Sequence, residues 1–283
     1  MEYKVSINTL AYEGHDLADA LTEIAGIGAK YVELGYTRGF MEGLTEDDFS
    51  ETAARQMNAL LAELGLSCIA FSAHIDLTMD ESVDELKRRI DYGKMIGAKI
   101  VNTKVGHRTR REHFDKNIVP LARYAESMDI IIGLENPAEG EKQIINTGKG
   151  GAAVVKEIDS EYVRLNYDFG NSYTYTCGEV NPAEDYKEAL PYAAYLHLKD
   201  MKKSAGGWEF TRTGSGIIEY DRIFKELVEE KKLLPMSIEY LFKYSASDDF
   251  VVSRKAETPE LSEISAGLKA SLEYVDAIIQ KYS

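Results

Sequence analysis

The chain has 283 residues, 44% of them hydrophobic and 29% charged, with a formal net charge of −15. That balance supports a buried core and excludes wholesale disorder, and the acidic field disfavours nucleic acid as a partner, which needs cationic surface to neutralise phosphates. No apolar run approaches the roughly 20 residues of a membrane span, and the two cysteines, Cys68 and Cys177, lack metal-type spacing and read as free thiols of a reducing compartment, Cys68 in the core.

The sequence opens on Lys4-Val5-Ser6-Ile7, an alternating strand pattern without the basic and apolar regions of a signal peptide, so the expected location is cytoplasmic. From there, short apolar or β-branched runs alternate with helical periodicity along the whole chain. Strands are predicted at Lys4–Thr9, Tyr31–Gly35, Ser67–Ala73, Ile100–Val105, Ile130–Glu135, Val163–Asp168, Ala194–Leu198 and Met236–Tyr240. Helices are predicted near Asp16–Ile27, Asp48–Leu64, Val83–Ile96, Arg111–Ser127, Ala152–Ile158, Pro182–Leu190, Tyr220–Glu230 and Pro259–Lys281. Asp16 and the Thr258-Pro259 pair supply N-cap chemistry. Gly28, Gly65 and Gly97 each end a helix where a left-handed turn feeds the next strand.

Eight strand–helix units at ~30 residues each favour a closed (β/α)8 TIM barrel over an open sheet. No repeat, low-complexity tract or Pro-rich linker divides the sequence, so residues 1–283 are expected to form a single domain. The longest loops are expected at Met201–Glu219 and Phe242–Thr258. Gly148-Lys149-Gly150-Gly151 opens the short helix after strand five, where its backbone N–H groups could face an anion, but it matches neither a Walker A loop nor a dinucleotide fingerprint and a flexible loop is the favoured reading.

In such a barrel the C-terminal ends of the strands converge on one face, so polar residues there are functional candidates. Strand three ends at His74, strand four leads to Lys104 and His107, and strand seven carries His197, Lys199 and Asp200. Glu135, Asp168, His197 and Glu239 come from four successive strand ends. Each alone reads equally well as a solvated or paired polar residue. Three carboxylates and an imidazole facing one another repel unless something cationic joins them, and a divalent ion is the simplest such species. An oxygen-rich set with one nitrogen and no thiolate suits Mn²⁺, Mg²⁺ or Co²⁺ better than a structural Zn²⁺ site, and Zn²⁺ stays open.

Gly133-Leu134-Glu135-Asn136-Pro137, Leu196-His197-Leu198-Lys199-Asp200, Gly214-Ser215-Gly216 and Ser237-Ile238-Glu239 resemble, in series and in order, the sugar isomerases and epimerases with xylose-isomerase-like barrels. That family includes tagatose and psicose 3-epimerases, hydroxypyruvate isomerase and inosose dehydratase, with endonuclease IV more distant. The resemblance implies one bound divalent metal, Mn²⁺ foremost, held by Glu135, Asp168, His197 and Glu239. It also implies proton abstraction beside a carbonyl through a metal-stabilised enediolate, with Glu135 and Glu239 as exchanging base and acid. One departure stands out: many members carry a histidine three residues after the strand-six Asp, and this chain has Asn171, which can bond a hydroxyl but cannot shuttle a proton.

Substrate contacts are expected from His74, Lys104, His107, Asn171, Lys199, Trp208 and Arg212, with packing or outward salt bridges as the competing roles. Phe40, Phe71, Phe169, Tyr173, Tyr175 and Phe210 lie near the same loops, where aromatic faces can bind sugar C–H surfaces. Trp208, in a Gly-rich loop, is expected to form a lid or wall. The leading expectation is a keto-sugar or polyol isomerase or epimerase. The alternatives are a dehydratase or lyase acting on a keto-sugar, inosose or 3-keto-C-glycoside, and a non-catalytic sugar-binding or scaffold subunit. A homo-oligomer or a partner subunit is left open.

Overall fold

The computed structural model describes residues 3–37, 44–136 and 142–283. In chain order the elements are β1 (Val5–Asn8), α1 (Leu17–Gly26), β2 (Tyr31–Gly35), α2 (Glu51–Glu63), β3 (Ser67–Asp76), α3 (Ser82–Met95), β4 (Ile100–Lys104) and α4 (Arg111–Met128). They continue as β5 (Ile131–Glu135), α5 (Gly148–Ile158), β6 (Val163–Asp168), α6 (Phe169–Tyr175), α7 (Pro182–Ala189), β7 (Ala193–Leu198), β8 (Asp200–Ser204) and β9 (Gly207–Thr211). The last are α8 (Tyr220–Glu229), β10 (Met236–Ile238), β11 (Tyr244–Ala246), β12 (Val252–Arg254) and α9 (Leu261–Tyr282).

Strands β1 to β7 and β10 close into a parallel barrel in the order β1-β10-β7-β6-β5-β4-β3-β2. The eight predicted strands are these eight, each within a few residues of its expected bounds. Apolar residues on the outer strand faces and the inner helix faces fuse into one core, with Ile7, Leu21, Val32, Leu34, Phe71, Phe114, Ile132 and Phe224 inaccessible to solvent. Each such side chain contributes about 1.5–3 kcal/mol through burial. Among the described residues no helix is long and apolar enough to cross a membrane.

Four local expectations change. Asp48 does not open a long helix: Glu46–Phe49 form a 3-10 turn, and α2 starts after Ser50, whose side chain accepts from Ala53 N. The last helix starts at Leu261 with Glu260 at its cap and no side-chain capping bond, because the Thr258 hydroxyl is engaged by Lys243 Nζ at 2.7 Å. Gly148-Lys149-Gly150-Gly151 is the first turn of α5 rather than a flexible loop, capped by Thr147, and Gly148 N donates to Asp185 Oδ2 at 2.5 Å. The stretches expected as loops after the seventh and eighth strands pair into a four-stranded antiparallel sheet, β12-β11-β9-β8. Ser204 pairs with Gly207 across a two-residue connection, Ala205-Gly206, a hairpin signal masked by the charges of Lys202, Lys203 and Glu209.

Asp200 joins this sheet to the barrel. Its buried carboxylate accepts backbone N–H bonds from Met201, Gly214, Gly216 and Ile218 at 2.9–3.2 Å, which ties the Lys199-Asp200 step to the Gly214-Ser215-Gly216 turn. Removing it orphans buried donors, each worth roughly 1–3 kcal/mol. Asp200→Ala is therefore expected to lower unfolding stability by about 2–4 kcal/mol, measured by urea denaturation, whereas Val119→Ala at a half-exposed helix position should stay within ~0.5 kcal/mol of the parent.

Candidate metal centre and active site

Side chains alternate along a strand, so every second residue of each barrel strand faces the interior. The layer nearest the C-terminal mouth holds His74, Lys104, Glu135, Asp168, Lys199 and Glu239. Below it lie Asn8, Glu33, Ser72, Asn102, Asn166, His197 and Ser237, all inaccessible to solvent. Gly133 contributes no side chain to this layer: a Cβ there would fall 2.1 Å from Asn102 Oδ1, so only glycine leaves Asn102 its place.

Glu135, Asp168, His197 and Glu239 meet as expected. One donor atom from each lies within 4.8 Å of all the others. The imidazole presents Nδ1 to the cluster, 2.7 Å from Glu135 Oε1, 3.3 Å from Glu239 Oε2 and 3.9 Å from Asp168 Oδ2. Metal bonds of about 2.0–2.3 Å place neighbouring donors about 3–3.7 Å apart, so a divalent ion would fit once the 2.7 Å contact between Nδ1 and Glu135 Oε1 opens by a few tenths of an ångström or more. The donor set also meets the demands of such an ion: three buried carboxylates and one imidazole nitrogen, with no thiolate.

Lys199 enters the same cluster. Its Nζ lies 2.8 Å from Asp168 Oδ2, 2.8 Å from Glu239 Oε2 and 2.8 Å from Asn171 Oδ1. Asn171, on α6, also donates from Nδ2 to Asn136 O and from its backbone N to Asp168 Oδ1. That last bond caps α6, a helix the sequence reading did not anticipate. His74 reaches in from β3, with Nε2 3.3 Å from Glu135 Oε2.

The charges shift one another. Burial pushes the Asp168 carboxyl up to about 7, with Glu239 and Glu135 adding to the rise and Lys199 opposing it. For Glu239 burial acts upward too, but Lys199 and His197 overcome it and hold the carboxyl well below the usual range. Burial lowers both histidines. It prevails at His74, whereas Glu33, Glu135 and Glu239 together raise His197 well above its ordinary value.

The other expected contacts stand further out. Lys104 ends β4, half-buried and in register with Glu135. His107 caps the turn Arg108–Arg110 and bonds Thr109 through Nδ1. Arg212 is exposed and donates to Ser215 Oγ. Trp208 sits in β9, stacked on Phe250 at 5.2 Å, edge-on to Tyr173 and under Lys203 Nζ at 4.7 Å, so its ring is engaged by its own chain. Phe71 packs with Tyr36, Phe49 and Tyr92, and Phe169 with Tyr167, Tyr186 and Tyr220, which makes both core residues. Phe40 and Pro137 lie outside the described residues.

One buried group was missed. Glu33, in the middle of β2, accepts from His197 Nε2 at 3.0 Å. A lone carboxylate in Tyr31-Val32-Glu33-Leu34-Gly35, a strand buried on both faces, was the available signal.

The profile of the xylose isomerase-like TIM barrel family matches residues 21–261. The chain belongs to this family. A D-psicose 3-epimerase of Enterocloster bolteae is 29% identical over 108 residues, a match spanning 38% of this chain and 34% of that relative. A xylose isomerase-like TIM barrel protein from Mycobacterium smegmatis, solved in complex with magnesium, superposes with a TM-score of 0.72 at 18% identity, covering 99% of this chain and 98% of that one. A probable 3-DHS dehydratase from Bacillus anthracis gives a TM-score of 0.69 at 16% identity, covering 96% and 98%. The barrel is thus shared by proteins named for different reactions, and the side chains must decide between them.

Uptake of an ion at this cluster would be linked to pH. His197 Nδ1 can hold a metal only after giving up a proton, and Asp168, raised to about 7, also carries one below neutrality. Protons therefore compete with the ion. Mn²⁺ should bind more tightly at pH 8 than at pH 6, with release of one to two protons, counted by titration calorimetry in two buffers of different ionisation enthalpy.

Proposed function

We propose that the chain is a divalent-metal-dependent isomerase or epimerase of a keto-sugar or polyol that removes a proton from the carbon beside a carbonyl. The observation that carries this reading is the convergence of Glu135 and Glu239 on one buried cluster with Asp168 and His197. Mn²⁺ is the favoured ion, and the same donors accept Mg²⁺, Co²⁺ or Zn²⁺. When bound, the ion supplies positive charge against which substrate oxygens can become anionic.

The residues divide the remaining work. Glu135 and Glu239 are each one methylene longer than Asp168, so either can give one oxygen to the ion and turn the other toward substrate carbon. One takes the proton and the other returns one on the opposite face, which inverts the centre. His74, beside Glu135 and kept neutral by burial, can accept or donate a hydrogen bond to a substrate hydroxyl. Lys199, held by Asn171, offers an ammonium to a developing oxyanion. The 29% identity to a psicose epimerase supports the sugar substrate, and the acidic surface supports a small neutral ligand over nucleic acid.

A second reading, elimination by a dehydratase or lyase, is favoured by Asn171. Its amide is committed to Asn136 and Lys199 and cannot carry a proton, so this position lacks the shuttle a histidine would supply to a second exchangeable face.

The test is a panel of ketoses, inososes and 3-keto-glycosides, with products resolved as isomer or alkene. Glu135→Gln and Glu239→Gln are expected to retain some metal through the amide oxygen and to lose ~10²–10⁴-fold in rate. Exchange of the substrate α-proton with deuterated solvent separates the two readings. Both variants should lose exchange in an epimerase, and only one of them in a lyase. Near-normal turnover in both would reduce the glutamates to ligands.

A further inference from the structure

We infer that Glu33 is the positioning residue that turns the His197 ring so that Nδ1, and not Nε2, faces the metal ligands, and that it thereby sets the affinity and ligand field of the centre. This rests on reading Glu135, Asp168, His197 and Glu239 as a metal site.

Glu33 is inaccessible to solvent and has its acceptors filled from three other strands. Oε1 accepts from Ser72 Oγ of β3 at 2.7 Å and from Asn102 Nδ2 of β4 at 2.7 Å. His197 Nε2 of β7 lies 3.1 Å from Oε1 and 3.0 Å from Oε2. Ser72 and Asn102 hold the carboxylate still, and Gly133 leaves Asn102 room to do so. On the far side, the Asn166 side-chain amide lies 3.2 Å from the same ring nitrogen, and its carbonyl oxygen, which has no other hydrogen-bond partner among the described residues, is the end that suits an Nε2–H.

A barrel that needed only stability would fill this layer with branched apolar side chains, because a buried carboxylate is costly to desolvate. Here every side chain of the layer is polar, and the hydrogen bonds of Ser72, Asn102 and Glu33 lead to one imidazole edge. An imidazole with Nε2–H given to a carboxylate has its lone pair on Nδ1, the atom facing Glu135 and Glu239. A carboxylate behind a ligating histidine also makes it a stronger donor, and losing such a partner typically costs 10–100-fold in metal affinity.

The experiment compares wild type with Glu33→Gln, which keeps size and removes charge, and Glu33→Asp, which keeps charge and withdraws it by one methylene. Mn²⁺ affinity is measured by competition with a chelator, and the visible absorption of the Co²⁺-loaded proteins reports the ligand field. Both variants should bind Mn²⁺ 10–100-fold more weakly with a shifted Co²⁺ spectrum. A merely structural role would lower the unfolding midpoint while leaving both readouts at wild-type values in the folded protein, and that result overturns the inference. If neither Glu33 variant folds, Ser72→Ala, which frees the carboxylate without removing it, should weaken Mn²⁺ several-fold, and unchanged affinity there is equally fatal. Wild type that takes up neither ion would bring down the metal-site reading itself, an outcome distinct from equal binding by wild type and variants.

Discussion

Four carboxylates, Glu33, Glu135, Asp168 and Glu239, are buried together in the upper barrel with His197 and Lys199 as cations in contact. Like charges a few ångströms apart repel by several kcal/mol even in a protein of effective dielectric ~20. The arrangement persists because each carboxylate has an assigned neighbour, and what lies around it maintains those assignments. Asn171 steers Lys199, Asn136 fixes the backbone of Asp168, and Ser72 and Asn102 fix Glu33. The elevated Asp168 and the depressed Glu239 are two outcomes of one shared field: both touch Lys199, but Glu239 lies closer to the imidazole.

The barrel was legible in the sequence because parallel strands covered on both faces leave short apolar runs between amphipathic helices, and none of the eight runs was ambiguous in length. The clustering of Glu135, Asp168, His197 and Glu239 was legible because their strands end where polar residues have no structural reason to accumulate. Glu33 escaped because it lies mid-strand, where a single polar residue among apolar neighbours carries no positional signal of its own. Its partners Ser72, Asn102 and Asn166 are likewise isolated within apolar strands, and what unites them is proximity across the barrel, which periodicity does not encode. The antiparallel sheet was missed for another reason. Its strands are three to five residues long and largely polar on one face, so they imitate loops.

Lys199 and Trp208 occupy different surroundings in the fold. Both were expected near substrate, one as a wall and the other as a charge. Lys199 lies among the ligands because its strand continues the inward alternation from Tyr195 through His197. Trp208 lies one hairpin further on, where Phe250 and Tyr173 complete its packing, and the ring anchors the sheet formed by the two long excursions. That sheet is therefore a packed unit with an apolar cluster of its own, Met201, Phe210 and Tyr244 included, fixed to the barrel through Asp200.

The bond between His197 and Glu33 spans 164 residues. The four clustered donors come from residues 135 to 239, while the carboxylate behind the imidazole comes from the second strand. Loop-closure entropy makes such a contact late to form. During folding the C-terminal strands can bring the four donors together before the imidazole is locked in register. If Glu33 positions the imidazole as inferred, the centre would reach full strength only when the second strand is in place, and ion affinity would then report barrel closure.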